Sequence, residues 1–136
     1  MKVIVDTCVW SLALRRKRPK ESSYLKELSE LIQESRVQLL GAIRHELLLG
    51  LKHHNQFLKL RDHLSAFPDL KLESQDYERA AEMFDISRCR GVQGSNIDFL
   101  ICAVSERRHM PILTDDGDFK QFSRLLKIKL HHPRVL

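Results

Sequence analysis

KVIVDTC, residues 2–8, is the stretch on which the fold turns. Residues 2–5 are short, apolar and β-branched, and they run straight into an acid. That is the pattern of a strand buried on both faces within a parallel sheet, with Asp6 at its carboxyl end. Further strands are predicted at residues 37–40 and 111–114, and short ones at 70–72 and 129–131.

Between the strands the apolar period changes to that of helices. Tyr24, Leu25, Leu28, Leu31 and Ile32 mark a helix over residues 21–35. A second over 43–51 carries Glu46, and a third over 56–65 stops before Pro68. Ser74 is expected to cap a fourth, through Tyr77, Ala80, Ala81 and Phe84, with Gly91 as its carboxyl-terminal cap. Gly94 and Ser95 open the most apolar helix, residues 96–108, and a last one spans about residues 119–126. This alternation predicts an α/β protein in three layers, α/β/α, with a mainly parallel central sheet. With no repeat, low-complexity tract or Pro/Gly-rich linker, residues 1–136 are expected to form a single domain.

The composition is that of an ordinary globular protein, 43% hydrophobic and 30% charged. No apolar run approaches the roughly 20 residues needed to span a bilayer. Asp6 interrupts the apolar start and no small-residue cleavage site follows, so a cytoplasmic protein without a membrane association is expected. Cys8, Cys89 and Cys102 form no CxxC pair and no even count, which argues against a disulfide framework or zinc cluster. Cys8 and Cys102 read as small buried residues. The formal net charge of +5 favours a polyanionic partner.

In parallel α/β folds, ligands gather beyond the carboxyl ends of the strands. Asp6 and Asp116 both fall on that rim, although far apart in sequence. Asp98 lies in the first turn of its helix, facing the same rim, and is the only charged group between Ile97 and Val104. It shares a helical face with Ile101 and Cys102, so it should point inward. Each acid also has an ordinary structural use. Ser95-x-x-Asp98 reads as a capping box, and Asp6-Thr7 as a cap for a following short helix. Glu46 reads equally as a solvated helix acid, and Asp115, Asp116 and Asp118 as turn formers. Caps that all converge on one rim would leave strong like-charge repulsion without cations. Converging carboxylates with no His or Cys at ligand spacing favour Mg²⁺ or Mn²⁺ over zinc, and such ions serve phosphoryl chemistry.

Four segments resemble the PIN-domain family, and within it the VapC-type toxin ribonucleases. VIVDTCVW resembles the family's strand–Asp–Thr/Ser start, IRHELLLG its second motif, GSNIDFLICAVS its D-x-L-I-A-A helix and ILTDDGDF its T-x-D-x-D-F motif. The four occur in order across nearly the whole chain. The resemblance implies a PIN fold, Mg²⁺- or Mn²⁺-dependent RNA cleavage, homodimerisation and inhibition by a small antitoxin protein. It places metal ligands on Asp6, Asp98 and Asp116, with Asp118 as the alternative fourth acid. Glu46 would ligate metal or orient its water, and Thr114 would hydrogen-bond an acid or water. Cys8 and Cys102 stand where the family commonly has small residues, which is expected to affect packing rather than chemistry.

Arg15, Arg16, Lys17, Arg18 and Lys20 form the densest basic run, read either as an RNA-backbone contact or as a solvated loop. Arg44, near Glu46, is a second candidate for phosphate contact or for the antitoxin's reach. His53-His54 and His131-His132 raise metal-free acid–base cleavage by two imidazoles, but adjacent side chains diverge and rarely act together. A rival of another class is a catalytically silent RNA-binding module with the same fold. A receiver-type phosphoacceptor or a HAD-type phosphatase would need a second acid just after Asp6, where Thr7 and Cys8 stand instead.

Overall fold

The computed structural model describes residues 1–14 and 22–134. The element order is β1 (Val3–Val5), α1 (Thr7–Leu14), α2 (Ser23–Gln33), β2 (Val37–Gln38), α3 (Gly41–Leu49), α4 (His54–Leu64), α5 (Ser74–Cys89), α6 (Asn96–Arg108), β3 (Ile112–Leu113) and α7 (Asp118–Leu125). The sheet is parallel with strand order β2-β1-β3, so the first strand in sequence is the middle one in space. Ile4 sets the register, pairing with Gln38 on one side and Ile112 on the other. All three β1 side chains are fully buried. Each such side chain contributes about 1.5–3 kcal/mol through burial, which explains why a three-residue strand can organise the fold.

The open parallel sheet is flanked by helices, as the alternating pattern predicts. The two expected short outer strands shrink to single bridges. Leu39 pairs with Asp69, and Ile112 pairs with Leu130. Pro68 before the first and Pro133 after the second each lack a backbone N–H for a longer ladder. The start of α5 also departs from expectation. Glu73, not Ser74, is the capping residue, and its backbone N–H donates to Asp76 Oδ2 at 2.7 Å. The other end follows the sequence: Gly91 takes φ +72°, while Gly91 N–H and Val92 N–H return to the Arg88 and Ser87 carbonyls at 3.0 and 2.8 Å.

The helix α6 is the best buried, with Phe99 and every residue from Ile101 to Ser105 in the core. A Cβ on Gly94 would stand 2.7 Å from the Phe122 ring and 3.0 Å from Phe99, so only glycine lets the chain approach these rings before α6 begins. At the opposite end of α6, Arg107 and Arg108 grip Asp76 of α5, with Arg108 Nη2 at 2.8 Å. Asp98 thus lies in the first turn of α6, at the end away from these ion pairs.

Candidate active site

Asp6 follows β1 directly and extends the ladder, its N–H donating to the Leu113 carbonyl at 3.0 Å. Its carbonyl accepts from Val9 and Trp10, so the same residue starts α1. The strand-to-helix junction thereby fixes the carboxylate at the rim, with only 6% of the residue exposed. Oδ1 accepts the Thr7 N–H at 2.8 Å, and Oδ2 accepts the Thr114 hydroxyl at 2.8 Å and the Cys8 thiol at 3.3 Å. Thr114 stands just beyond β3, so the parallel pairing of β1 with β3 places two residues far apart in sequence in direct contact.

The other acids surround this point. Thr7 donates its hydroxyl to Glu46 Oε1 at 2.5 Å, tying α1 to the exposed acid on α3. Asp116 N–H donates to Thr114 Oγ1 at 3.0 Å, while Asp116 Oδ1 accepts the Asp118 N–H at 3.0 Å. Asp98 is half-buried and closes the capping box, accepting Ser95 N–H at 3.0 Å and donating its own N–H to Ser95 Oγ at 3.1 Å. The capping reading of Asp98 and its rim position thus hold together.

Electrostatics bind the acids into one group. Burial pushes the Asp6 carboxyl above its ordinary pKa against the pull of its three donors, and the Asp98 charge adds to the rise. Burial likewise raises Asp98, and the charges of Asp116 and Glu46 raise it further. Among the described residues no Lys, Arg or His lies within salt-bridge distance of any of these acids. Nor, among the described residues, do three Asp, Glu, His or Cys side chains stand close enough to enclose a metal ion as they lie. The donor chemistry, oxygen only and short of positive charge, fits a hard divalent cation. Of these acids Asp6 is the most engaged, with three donors on its carboxylate, whereas the Asp98 carboxylate accepts one.

Two contacts were not legible in the sequence. The sequence marks Thr7 only as part of a cap, yet it holds Glu46. Cys8 was expected to be buried packing, yet it is half-buried with its thiol on Asp6 and Thr114, and burial with the Asp6 charge pushes its pKa up to about 12. The clue in both cases is a hydroxyl or thiol placed immediately after a rim acid.

The basic candidates fare differently. Arg44 is committed to the fold: Nε donates to Asp69 at 3.0 Å, Nη1 to the Leu64 carbonyl at 3.1 Å, and Nη2 to the Phe67 carbonyl. Arg15, Arg16, Lys17, Arg18 and Lys20 lie outside the described residues. His131 Nε2 is paired with Glu27 Oε2 at 2.6 Å, and His54 stacks on Phe57 with centroids 6.0 Å apart.

The PIN-domain profile matches residues 3–125. No curated protein sequence matches the chain significantly. Among solved structures, VapBC2 from Rickettsia felis bound to a promoter DNA fragment contains a chain with TM-score 0.77 and 21% identity, covering 96% of this chain and 98% of that one. FitAcB from Neisseria gonorrhoeae gives 0.75 at 21% identity, with 96% and 97% covered. DNA-bound VapBC from Salmonella typhimurium gives 0.71 at 16% identity, again with 96% and 97% covered. At these identities the structures speak for the fold, and the profile, spanning strand, rim and all four acid-bearing segments, carries the assignment: the chain belongs to the PIN-domain family.

Proposed function

We propose that the protein is a metal-dependent endoribonuclease acting as the toxin of a type II toxin–antitoxin pair. The observation that carries this reading is a group of rim carboxylates, two of them desolvated, with no cationic side chain against them among the described residues. Evolution of a stable fold alone would pair or remove such charges, because uncompensated buried acids cost free energy. Membership of the PIN family, the basic net charge and the fold shared with toxin–antitoxin structures support it.

Asp6, Asp98 and Asp116 would hold the cation, Mg²⁺ or Mn²⁺, with Glu46 as a further ligand or as the group orienting the water. When bound, such an ion polarises the phosphate and acidifies the attacking water. Thr114 keeps the Asp6 carboxylate aimed at the rim, and Thr7 does the same for Glu46. Asp116 is favoured over Asp118 because its charge is felt by Asp98, while Asp118 is exposed at the start of α7. We assign residues 1–136 to one nuclease domain.

The partners follow from the same reading. RNA is the substrate, with the run from Arg15 to Lys20 as its backbone contact. A small antitoxin protein is the inhibitor, by analogy with the complexes named above. A second copy of the chain would cover Tyr77 and Phe84, which leave 57% and 38% of their surface exposed along the groove between α5 and α6. No helix among the described residues is long and apolar enough to cross a membrane, and we place the protein in the cytoplasm.

Purified protein incubated with RNA should cut it in Mg²⁺ or Mn²⁺ and stop in EDTA, leaving 5′-phosphate ends. Cyclic 2′,3′-phosphate ends, or cleavage that survives EDTA, would overturn the metal reading in favour of imidazole chemistry. The second reading is a silent RNA-binding module with the same fold. Retention of RNA without cleavage at any Mn²⁺ concentration is the result that reading requires.

A further inference from the structure

We propose that Cys8 is a positioning residue for the Asp6 carboxylate, donating its thiol proton to Oδ2 from 3.3 Å and so selecting Oδ1 as the oxygen that meets the cation. The inference rests on the metal reading of the rim. It begins from a count of acceptor sites. An ionised carboxylate offers about four, two on each oxygen. On Asp6, Oδ2 takes the Thr114 hydroxyl at 2.8 Å as well as the thiol, which fills it. Oδ1 takes only the Thr7 N–H, at 2.8 Å, and keeps one site open.

The direction of the thiol proton follows from its neighbours. Thr114 Oγ1 also lies 3.4 Å from the sulfur, so it competes as an acceptor. That oxygen already accepts the Asp116 N–H at 3.0 Å while giving its own proton to Asp6. Asp115 also bears on the thiol, but the hydrogen bonds Cys8 forms are to Asp6 Oδ2 and Thr114 Oγ1; of these two the charged Oδ2 is the better acceptor, since hydrogen bonds to ionised groups are the stronger ones. The position is set by the fold, because Cys8 lies in the first turn of α1, directly after the junction that Asp6 itself caps.

The second core thiol supplies the contrast. Cys102 is fully buried in α6 and forms no hydrogen bond among the described residues. The same side chain thus packs at one position and orients a carboxylate at the other.

The test measures Mn²⁺ binding to the full chain by the electron paramagnetic resonance of the free ion, alongside thermal melts that confirm folding. Cys8→Ala should weaken binding about tenfold, the lower end for a partner that holds a metal ligand, because a thiol is a weak donor. Cys8→Ser, which retains one donor, should restore most of that loss. Cys102→Ala should melt earlier yet bind Mn²⁺ as the parent does. Unchanged affinity in Cys8→Ala overturns the proposal. So does a Cys8→Ser variant as weak as Cys8→Ala, or a Cys102→Ala variant that loses as much, since either result makes the thiol mere packing. Asp6→Asn is the separate control. If it binds Mn²⁺ normally, the rim is not the metal site and the proposal falls with that reading; if it alone loses binding, only the role of Cys8 is lost.

Discussion

Asp6 and Asp76 are both buried carboxylates at the start of a helix, and they are treated in opposite ways. Asp76 meets Arg107, Arg108 and the Glu73 N–H, which together hold it below the ordinary carboxylate range despite its complete burial. Asp6 meets a backbone N–H, a hydroxyl and a thiol, all neutral, and burial pushes it above that range. Asp76 is compensated by charge within the chain; Asp6 has no cationic partner among the described residues, and on the proposed function it would take a cation from outside. Glu27 follows the Asp76 pattern, bound by His131 and by Arg134, whose guanidinium also forks onto Glu34. The difference in partners, rather than in burial, separates the acids that hold the fold from those free to act.

Breaking the comparison at Asp6 should give the largest effect. Asp6→Asn is expected to reduce RNA cleavage more than about 100-fold, beyond the loss typical of groups that merely support a ligand. Its far-UV circular dichroism should remain that of the parent. At Asp76 the loss should appear in stability instead. Asp76→Ala leaves two arginines facing each other, and urea unfolding should show a loss of about 2–4 kcal/mol, discounted because each guanidinium keeps about a quarter of its surface in water. Cleavage per folded molecule should be unchanged.

Asp98 sharpens the comparison, since it is both cap and rim acid. Asp98→Asn retains the capping acceptor and removes the repelled charge. The metal-free protein should then melt about 2–5 °C higher, and added Mn²⁺ should no longer raise the melting temperature. A lower melting temperature would mean that the cap outweighs the repulsion.

The smallest effect is in the pH dependence of the metal-free fold. Asp6 and Asp98 have raised pKa values, so their ionisation weakens the fold as pH rises through those values. Asp76 and Glu27 have lowered values, so their contribution is present above the ordinary carboxylate range and is lost as pH falls through the depressed values. Urea melts from pH 7 downward should show stability rising and then falling. Asp98→Asn should blunt the rise and leave the fall.

The parts legible in sequence are those set by local pattern. The β-branched run of β1, the apolar α6 and the Gly91 cap each announce themselves within a few residues. The outer strands are shorter than the sequence suggests because Leu70 and Leu130 are apolar for packing reasons, while the neighbouring prolines limit pairing. The positions of Asp6, Asp98 and Asp116 on the rim followed from strand ends and helical phase. Their hydrogen-bond partners did not, because Thr7 to Glu46 and Cys8 to Thr114 depend on how α1 sits against α3 and β3. Arg44 shows the converse. Its sequence position beside Glu46 suggested an open contact, whereas the fold spends its donors on the segment from Leu64 to Asp69.

Placing the first strand in the middle of the sheet also imposes an order in time. As the chain is synthesised, residues 3–5 emerge early but cannot complete their pairing until residues 37–38 and then 112–113 have followed. Asp6 gains its Thr114 partner, 108 residues further along, only after that whole stretch has been made. On the proposed function, the centre is not assembled while that stretch is still being translated, so the RNA nearest to it at birth would be protected by the topology itself.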